Sequence, residues 1–94
     1  MEKLSCWECG LTDLDVSNNP KLTFIDCNDN NLTTLNLSNN HNLTNVRCDG
    51  NSIASLDLDN KPGLKELWCD DNAITELNLS SNPELQYLYC RNNN

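Results

Sequence analysis

The chain repeats itself every 21 residues. Five of its six cysteines, Cys6, Cys27, Cys48, Cys69 and Cys90, follow one another at that step. So do Leu22, Leu43, Leu64 and Leu85, with Met1 in the slot before them. Leu4, Ile25, Val46, Leu67 and Leu88 form another column, and Leu11, Leu32, Ile53 and Ile74 a further one. Leu14, Leu35, Leu56 and Leu77 keep the same spacing, as do Val16, Leu37, Leu58 and Leu79. Asn30, Asn51, Asn72 and Asn93 make a polar column. No insertion or deletion breaks the register. A fixed period of roughly 20 to 29 residues dictates a stacked solenoid, in which each unit covers its apolar face with its neighbour because it is too short to bury that face alone. The apolar share, 37%, is low for a globular chain, and the columns absorb nearly all of it. Outside them stand only Cys9, Ala54, Ala73 and the five aromatics, Trp7, Phe24, Trp68, Tyr87 and Tyr89.

One full unit begins Leu22-Thr23-Phe24-Ile25-Asp26-Cys27-Asn28-Asp29-Asn30-Asn31-Leu32. It fits the leucine-rich-repeat template, with Cys27 where a third aliphatic residue is expected. Around Ile25 and Cys27 the side chains alternate with period two, which predicts a short strand. Stacking places these strands in a parallel sheet at about 4.8 Å spacing. The asparagine column falls in the turn after the strand, where a side-chain amide can bond loop backbone of neighbouring units. The second half of each unit, such as Leu56-Asp57-Leu58, also alternates and reads as an extended convex segment. The expected fold is therefore a β-rich leucine-rich-repeat solenoid. It is a right-handed coil with a parallel concave sheet of about five short strands and little or no helix. The units run 1–21, 22–42, 43–63 and 64–84, with a partial unit at 85–94, in a single domain without separate caps.

With its cysteine column and the unit phrase Leu32-Thr33-Thr34-Leu35-Asn36-Leu37-Ser38, the whole chain resembles bacterial internalin-type leucine-rich repeats. The resemblance is greatest to the internalin J subtype, whose 21-residue units replace one core leucine by cysteine in a stacked ladder. It implies a secreted or cell-surface protein that uses its concave sheet to hold another macromolecule. The stretch from Met1 to Cys6 carries no charged-then-apolar export signal, and the helical N-terminal cap of internalins has no counterpart here. Terminal units of solenoids usually differ from interior ones, whereas Met1, Leu4, Leu85 and Leu88 keep interior character. The expectation is an excised, engineered or designed repeat array, with a natural short protein capped by self-association as the competing reading. In either case the uncovered strand edges self-associate.

The cysteine column points into the core, where a thiol acts as a small hydrophobe. Disulfides between neighbouring rungs are disfavoured because parallel Cβ vectors do not reach a torsion near about 90°. An opened column could instead capture soft ions such as mercury, silver or copper(I). Cys6-Trp7-Glu8-Cys9 has the C-x-x-C spacing, but no second pair supplies the four ligands of a structural zinc site. The spacing arises because the cysteine and asparagine columns lie three apart, with Cys9 in the slot ahead of Asn30. The single histidine, His41, occupies a convex slot shared with Pro20, Pro62 and Pro83. No nucleophile has a base at a workable spacing, and three glycines cannot build a phosphate-cradling loop, so no catalytic site and no cofactor are expected. The pairs Asp57 and Asp59, and Asp70 and Asp71, do not fit a calcium loop.

Function is expected on the outward strand positions. One column holds Lys3, Phe24, Asn45, Glu66 and Tyr87; the next holds Ser5, Asp26, Arg47, Trp68 and Tyr89; the last holds Trp7, Asn28, Asp49, Asp70 and Arg91. All five aromatics fall here, together with Arg47 and Arg91. Aromatic and arginine side chains on a rigid surface are the material of binding hot spots. The candidate partner-binding residues are Trp7, Phe24, Asp26, Arg47, Glu66, Trp68, Asp70, Tyr87, Tyr89 and Arg91. The expected partner is a protein or a glycan, with a second copy of the chain as a further one. Mutual bracing of the aromatics without any ligand is the competing explanation. A formal net charge of −8 argues against nucleic acid and anionic membrane surfaces, and no apolar run approaches the ~20 residues of a membrane span.

Overall fold

A computed structural model describes residues 2–93. Met1, expected in the first leucine slot, lies outside the described residues. Five strands form one parallel sheet in sequence order: β1 (Lys3–Ser5), β2 (Phe24–Asp26), β3 (Asn45–Arg47), β4 (Glu66–Trp68) and β5 (Tyr87–Tyr89). In every pair the register is the sequence period itself, so that Ile25 lies opposite Val46 and Arg47 opposite Trp68. The solenoid is thus built as the repeat requires, one strand per unit. Among the described residues there is no helix.

The strands are shorter than the alternation implied. Each has three residues, with two outward positions rather than three. The outward column of Trp7, Asn28, Asp49, Asp70 and Arg91 lies just beyond the strands, although backbone pairing still reaches it. The Cys27 amide donates to the Arg47 carbonyl at 2.8 Å and the Asp29 amide to the Asp49 carbonyl at 2.7 Å. What ends the strand is a left-handed residue in every unit: Glu8, Asp29, Gly50, Asp71 and Asn92 all have φ between 52° and 67°. Three of the five are Asp or Asn, whose short polar side chains tolerate that conformation best after glycine. Gly50 has a second reason to be glycine, since a Cβ there would run into the Asp29 carboxylate.

The core is the set of columns named above. Leu22, Ile25, Cys27, Leu32, Leu43, Val46, Cys48, Ile53, Leu64, Leu67 and Cys69 are wholly buried. On the convex side each unit turns through one side-chain cap. Oδ1 of Asp15, Asn36, Asp57 and Asn78 accepts the backbone N–H two residues on, at 2.9 to 3.0 Å. This local alternative to helical bonding is the habit of Asp and Asn in turns, and it explains the extended convex segment.

Burial falls away towards β5, where all three residues are exposed, including Leu88 at 39%. The expectation of a uniformly buried thiol column is therefore corrected. Cys27, Cys48 and Cys69 are buried, Cys6 is half-buried and Cys90 is exposed. Burial in a solenoid comes from having a unit on each side, and only the interior rungs do.

Candidate binding face and the ladders that hold it

Beneath the concave face runs the thiol column. All six cysteines are free. Burial pushes the Cys27 and Cys69 thiols up to about 12, helped by the neighbouring rungs, Cys6 for Cys27 and Cys90 for Cys69. Burial also raises the Cys48 thiol well above its ordinary range, with the Cys27 and Cys69 rungs adding to the rise. At neutral pH the interior column is wholly protonated, and the Cys27 thiol donates to the Arg47 carbonyl at 3.4 Å. Among the described residues no three His, Cys, Asp or Glu side chains converge to hold a metal ion. Cys9 lies outside the core, where its thiol donates to the Trp7 carbonyl at 3.3 Å.

Beside the thiols, the asparagines staple the units together. Asn51 Nδ2 donates to the carbonyl of its own Cys48 at 3.1 Å, to Cys27 of the preceding unit at 3.1 Å and to Asp49 at 3.2 Å. Its Oδ1 accepts the Leu32 amide at 3.0 Å. Asn30, Asn72 and Asn93 repeat the scheme. Each amide thus satisfies backbone groups that the strand, ended by its left-handed residue, leaves unpaired. In the first unit the Cys9 and Leu11 amides both donate to Asn30 Oδ1. Cys9 holds the slot of an asparagine without its amide.

On the concave surface, five candidate residues come together. The Arg47 guanidinium lies between two rings, 5.2 Å from the Phe24 centroid and 4.3 Å from that of Trp68. Tyr89 meets Trp68 edge-on, with centroids 5.3 Å apart and planes at 70°. Glu66 closes the group from the adjacent column, 3.6 Å from Arg47 and accepting a 3.0 Å hydrogen bond from Asn45 Nδ2. The 21-residue register stacks Arg47, Trp68 and Tyr89 side by side on β3 to β5, and Phe24 on β2 meets Arg47 diagonally from the adjacent column. Among the described residues Arg47 Nε and Trp68 Nε1 have no hydrogen-bond partner, so ring contacts and the Glu66 ion pair hold the group. Tyr87 stands exposed at 55% on β5 beside Glu66. Trp7, also 55% exposed, belongs to the first unit and stands apart from the Arg47 group. Asp26 lies opposite Arg47 in register and caps the Asn28 amide at 3.2 Å.

The column beyond the strands does structural work that its spacing had not revealed. Asn28 Oδ1 accepts the Asp49 amide at 2.7 Å, Asp49 Oδ1 the Asp70 amide at 2.7 Å, and Asp70 Oδ1 the Arg91 amide at 2.6 Å. Asp70 is thus one rung of a third ladder as well as a surface residue. Burial raises the Asp49 carboxyl above its ordinary range. The hydrogen bond from the Asp70 amide opposes the rise, and the charges of Asp70, Asp71 and Asp29 add to it. Between this ladder and the ring group, Asp49, Asp70, Trp68 and Tyr89 line a cleft of about 210 Å³.

A fourth ladder was missed altogether. On the convex side Asn40 Nδ2 donates to the Val16 carbonyl at 3.0 Å and the Asn19 carbonyl at 2.9 Å, and Asn82 does the same to Leu58 and Lys61. The signal was present, because Asn19, Asn40, Lys61 and Asn82 share the 21-residue step. Lys61 interrupts the run, yet it is buried like its neighbours, with Nζ donating to the Asp59 carbonyl at 3.1 Å.

A coil with one parallel strand per unit, tied by a core thiol column and an asparagine column, is a cysteine-ladder leucine-rich-repeat solenoid. No family model and no curated protein matches the chain. Among solved structures it is similar to the functional domain of InlJ from Listeria monocytogenes, described as including a cysteine ladder, with 28% sequence identity and a TM-score of 0.53. The match covers 99% of this chain and 30% of that one, so the chain spans under a third of that structure's length.

Proposed function

We propose that the chain is a non-enzymatic interaction module that holds another protein against the concave strand face. The observation that carries this reading is the stacked row Arg47, Trp68 and Tyr89, with Phe24, Glu66 and Tyr87 in the column alongside. It concentrates aromatic and arginine surface on a rigid sheet, where such residues dominate binding energy. The resemblance to internalin-type repeats supports the same face. Five strands present less than the ~800 Å² per partner of a standard interface, so affinity from this array alone is modest.

The test is a peptide library selected on the immobilised chain, with bound peptides mapped by amide chemical shifts. Binders are expected to perturb β2 to β5 and to lose affinity in a Trp68→Ser, Tyr87→Ser, Tyr89→Ser variant that still unfolds cooperatively. Selected peptides that map to the convex side, or that bind this variant unchanged, would overturn the reading. A self-associating scaffold is the second reading, favoured by the exposed Tyr87, Leu88 and Tyr89 of β5. Light scattering separates it: mass falling to the monomer in the same variant, with no peptide ever selected, supports the scaffold.

A further inference from the structure

The cleft beside the ring group combines features that neither ladder needs for stacking. Asp49 and Asp70 each use Oδ1 to cap the next unit, and the second oxygen of each has no hydrogen bond among the described residues. Trp68 and Tyr89 wall the same space. Arg47, in the same unit as Asp49, stacks on Trp68 and pairs with Glu66, and among the described residues it forms no ion pair with Asp49 or Asp70. Arg91, next in the aspartate column, forms no ion pair with Asp70 among the described residues.

Two free carboxylate oxygens beside two aromatic rings attract a cation, through charge and through the ring quadrupole. A metal ion is poorly served, since the set offers two carboxylates and no third ligand converges. A guanidinium seeks both oxygens of one carboxylate, and here one oxygen of each is committed to backbone. An ammonium on a flexible stem needs only single oxygens, while its methylenes lie against the rings. The chain's net charge of −8 favours a basic partner at longer range. We infer that the cleft of Asp49, Trp68, Asp70 and Tyr89 is a subsite for a lysine side chain of a bound polypeptide. This rests on the concave-face reading and specifies its chemistry.

The probe is acetyl-Gly-Lys-Gly-amide, with the norleucine tripeptide as neutral isostere, followed through the Trp68 indole N–H resonance. The lysine probe is expected to saturate on the order of millimolar and to weaken as salt is raised. The norleucine probe should bind at least about tenfold more weakly. Asp49→Asn with Asp70→Asn should reduce lysine affinity by about tenfold or more. Folding is expected to survive these changes, because Asn28 already caps its neighbour with an amide oxygen. Equal affinity for norleucine, salt-independent binding or full affinity in the double variant would overturn the lysine subsite. Those controls on the unmodified chain hold even if the variant misfolds. The broader reading fails separately, when polypeptides selected on the chain ignore Trp68, Tyr87 and Tyr89.

Discussion

Arg47 rests on Trp68, its guanidinium carbon 4.3 Å from the ring centroid, and both side chains belong to one outward column. The contact orders the long arginine before any ligand arrives, and that lowers the entropy lost on binding. A half-exposed cation over an indole is worth about 0.5–1 kcal/mol, and the 3.6 Å pair with Glu66 adds little in water. Urea unfolding should show Arg47→Ala losing about 1 kcal/mol, with a coupling to Trp68→Ala of about 0.5–1 kcal/mol. Glu66→Gln should cost less than either. A coupling of zero would mean that the two side chains only share a surface.

The asparagine column should be the most sensitive polar feature. Removing the Asn51 amide leaves the Leu32 N–H without its partner in the interior, while the Cys27 carbonyl keeps the bond from Asn30. A buried unsatisfied group costs about 1–3 kcal/mol, so Asn51→Ala should lose about 2 kcal/mol. Asn93→Ala removes equivalent bonds, two of which are exposed to water, and should cost about 1 kcal/mol. Chemical denaturation of the two variants side by side measures the difference that burial makes.

Thiol reactivity reads the core directly. Only the thiolate reacts, and burial holds Cys27 and Cys69 at about 12. In the folded chain a thiol reagent at pH 8 should modify exposed Cys9 and Cys90 quickly and half-buried Cys6 more slowly. Cys27, Cys48 and Cys69 should react only on unfolding. Mass spectrometry of partially labelled protein assigns the sites, and rapid labelling of Cys48 would place the thiol column outside the core.

Asp49 works in the opposite sense from most carboxylates in folded proteins. Its folded pKa lies above the ordinary 3.8, chiefly through burial, so the folded state binds the proton more tightly than the unfolded chain. Its contribution to stability is then favourable at low pH and declines as pH rises from about 3.8 through the raised value. Asp49→Asn should be at least as stable as the natural chain at pH 7 and should lose this decline. Melting temperatures across pH 3 to 7 (on the order of one to three degrees between the two chains) check it.

How far the sequence discloses this molecule depends on which residues recur. Leu, Ile and Val columns specify the sheet and core because apolar burial is decided by position alone, and the Asn30 column discloses its own staples because an amide in a turn has few other uses. Strand length was misjudged. Period-two alternation continues through Asn28 and Asp49, whereas the strands end at Asp26 and Arg47 and the left-handed Asp29 and Gly50 turn the chain directly after the alternation. The caps by Asn28, Asp49 and Asp70 were hidden for a related reason, since outward carboxylates look like solvated surface until the next unit brings an N–H to them. The meeting of Arg47 with Phe24 and Trp68 follows from register, yet its closeness is a matter of side-chain rotamers that no column predicts.

Lys61 offers the sharpest test of the ladder principle. It occupies an asparagine slot, is fully buried, and satisfies one carbonyl where Asn40 and Asn82 each satisfy two. Burial lowers its pKa below the ordinary 10.5, against the pull of Asp57 and Asp59. The folded state therefore binds its proton more weakly than the unfolded chain does, and stability should rise as pH climbs from the lowered value towards 10.5. Lys61→Asn removes the buried ammonium and, by the pattern of Asn40 and Asn82, restores donors to the Leu37 and Asn40 carbonyls. It should gain about 1 kcal/mol at pH 7 in urea unfolding and flatten the alkaline rise. Lys61→Met keeps the stem without the donor and should fall between the two. If Lys61→Asn destabilises the chain, the ammonium is doing more than filling an asparagine's place, and the convex column is not a ladder of interchangeable rungs.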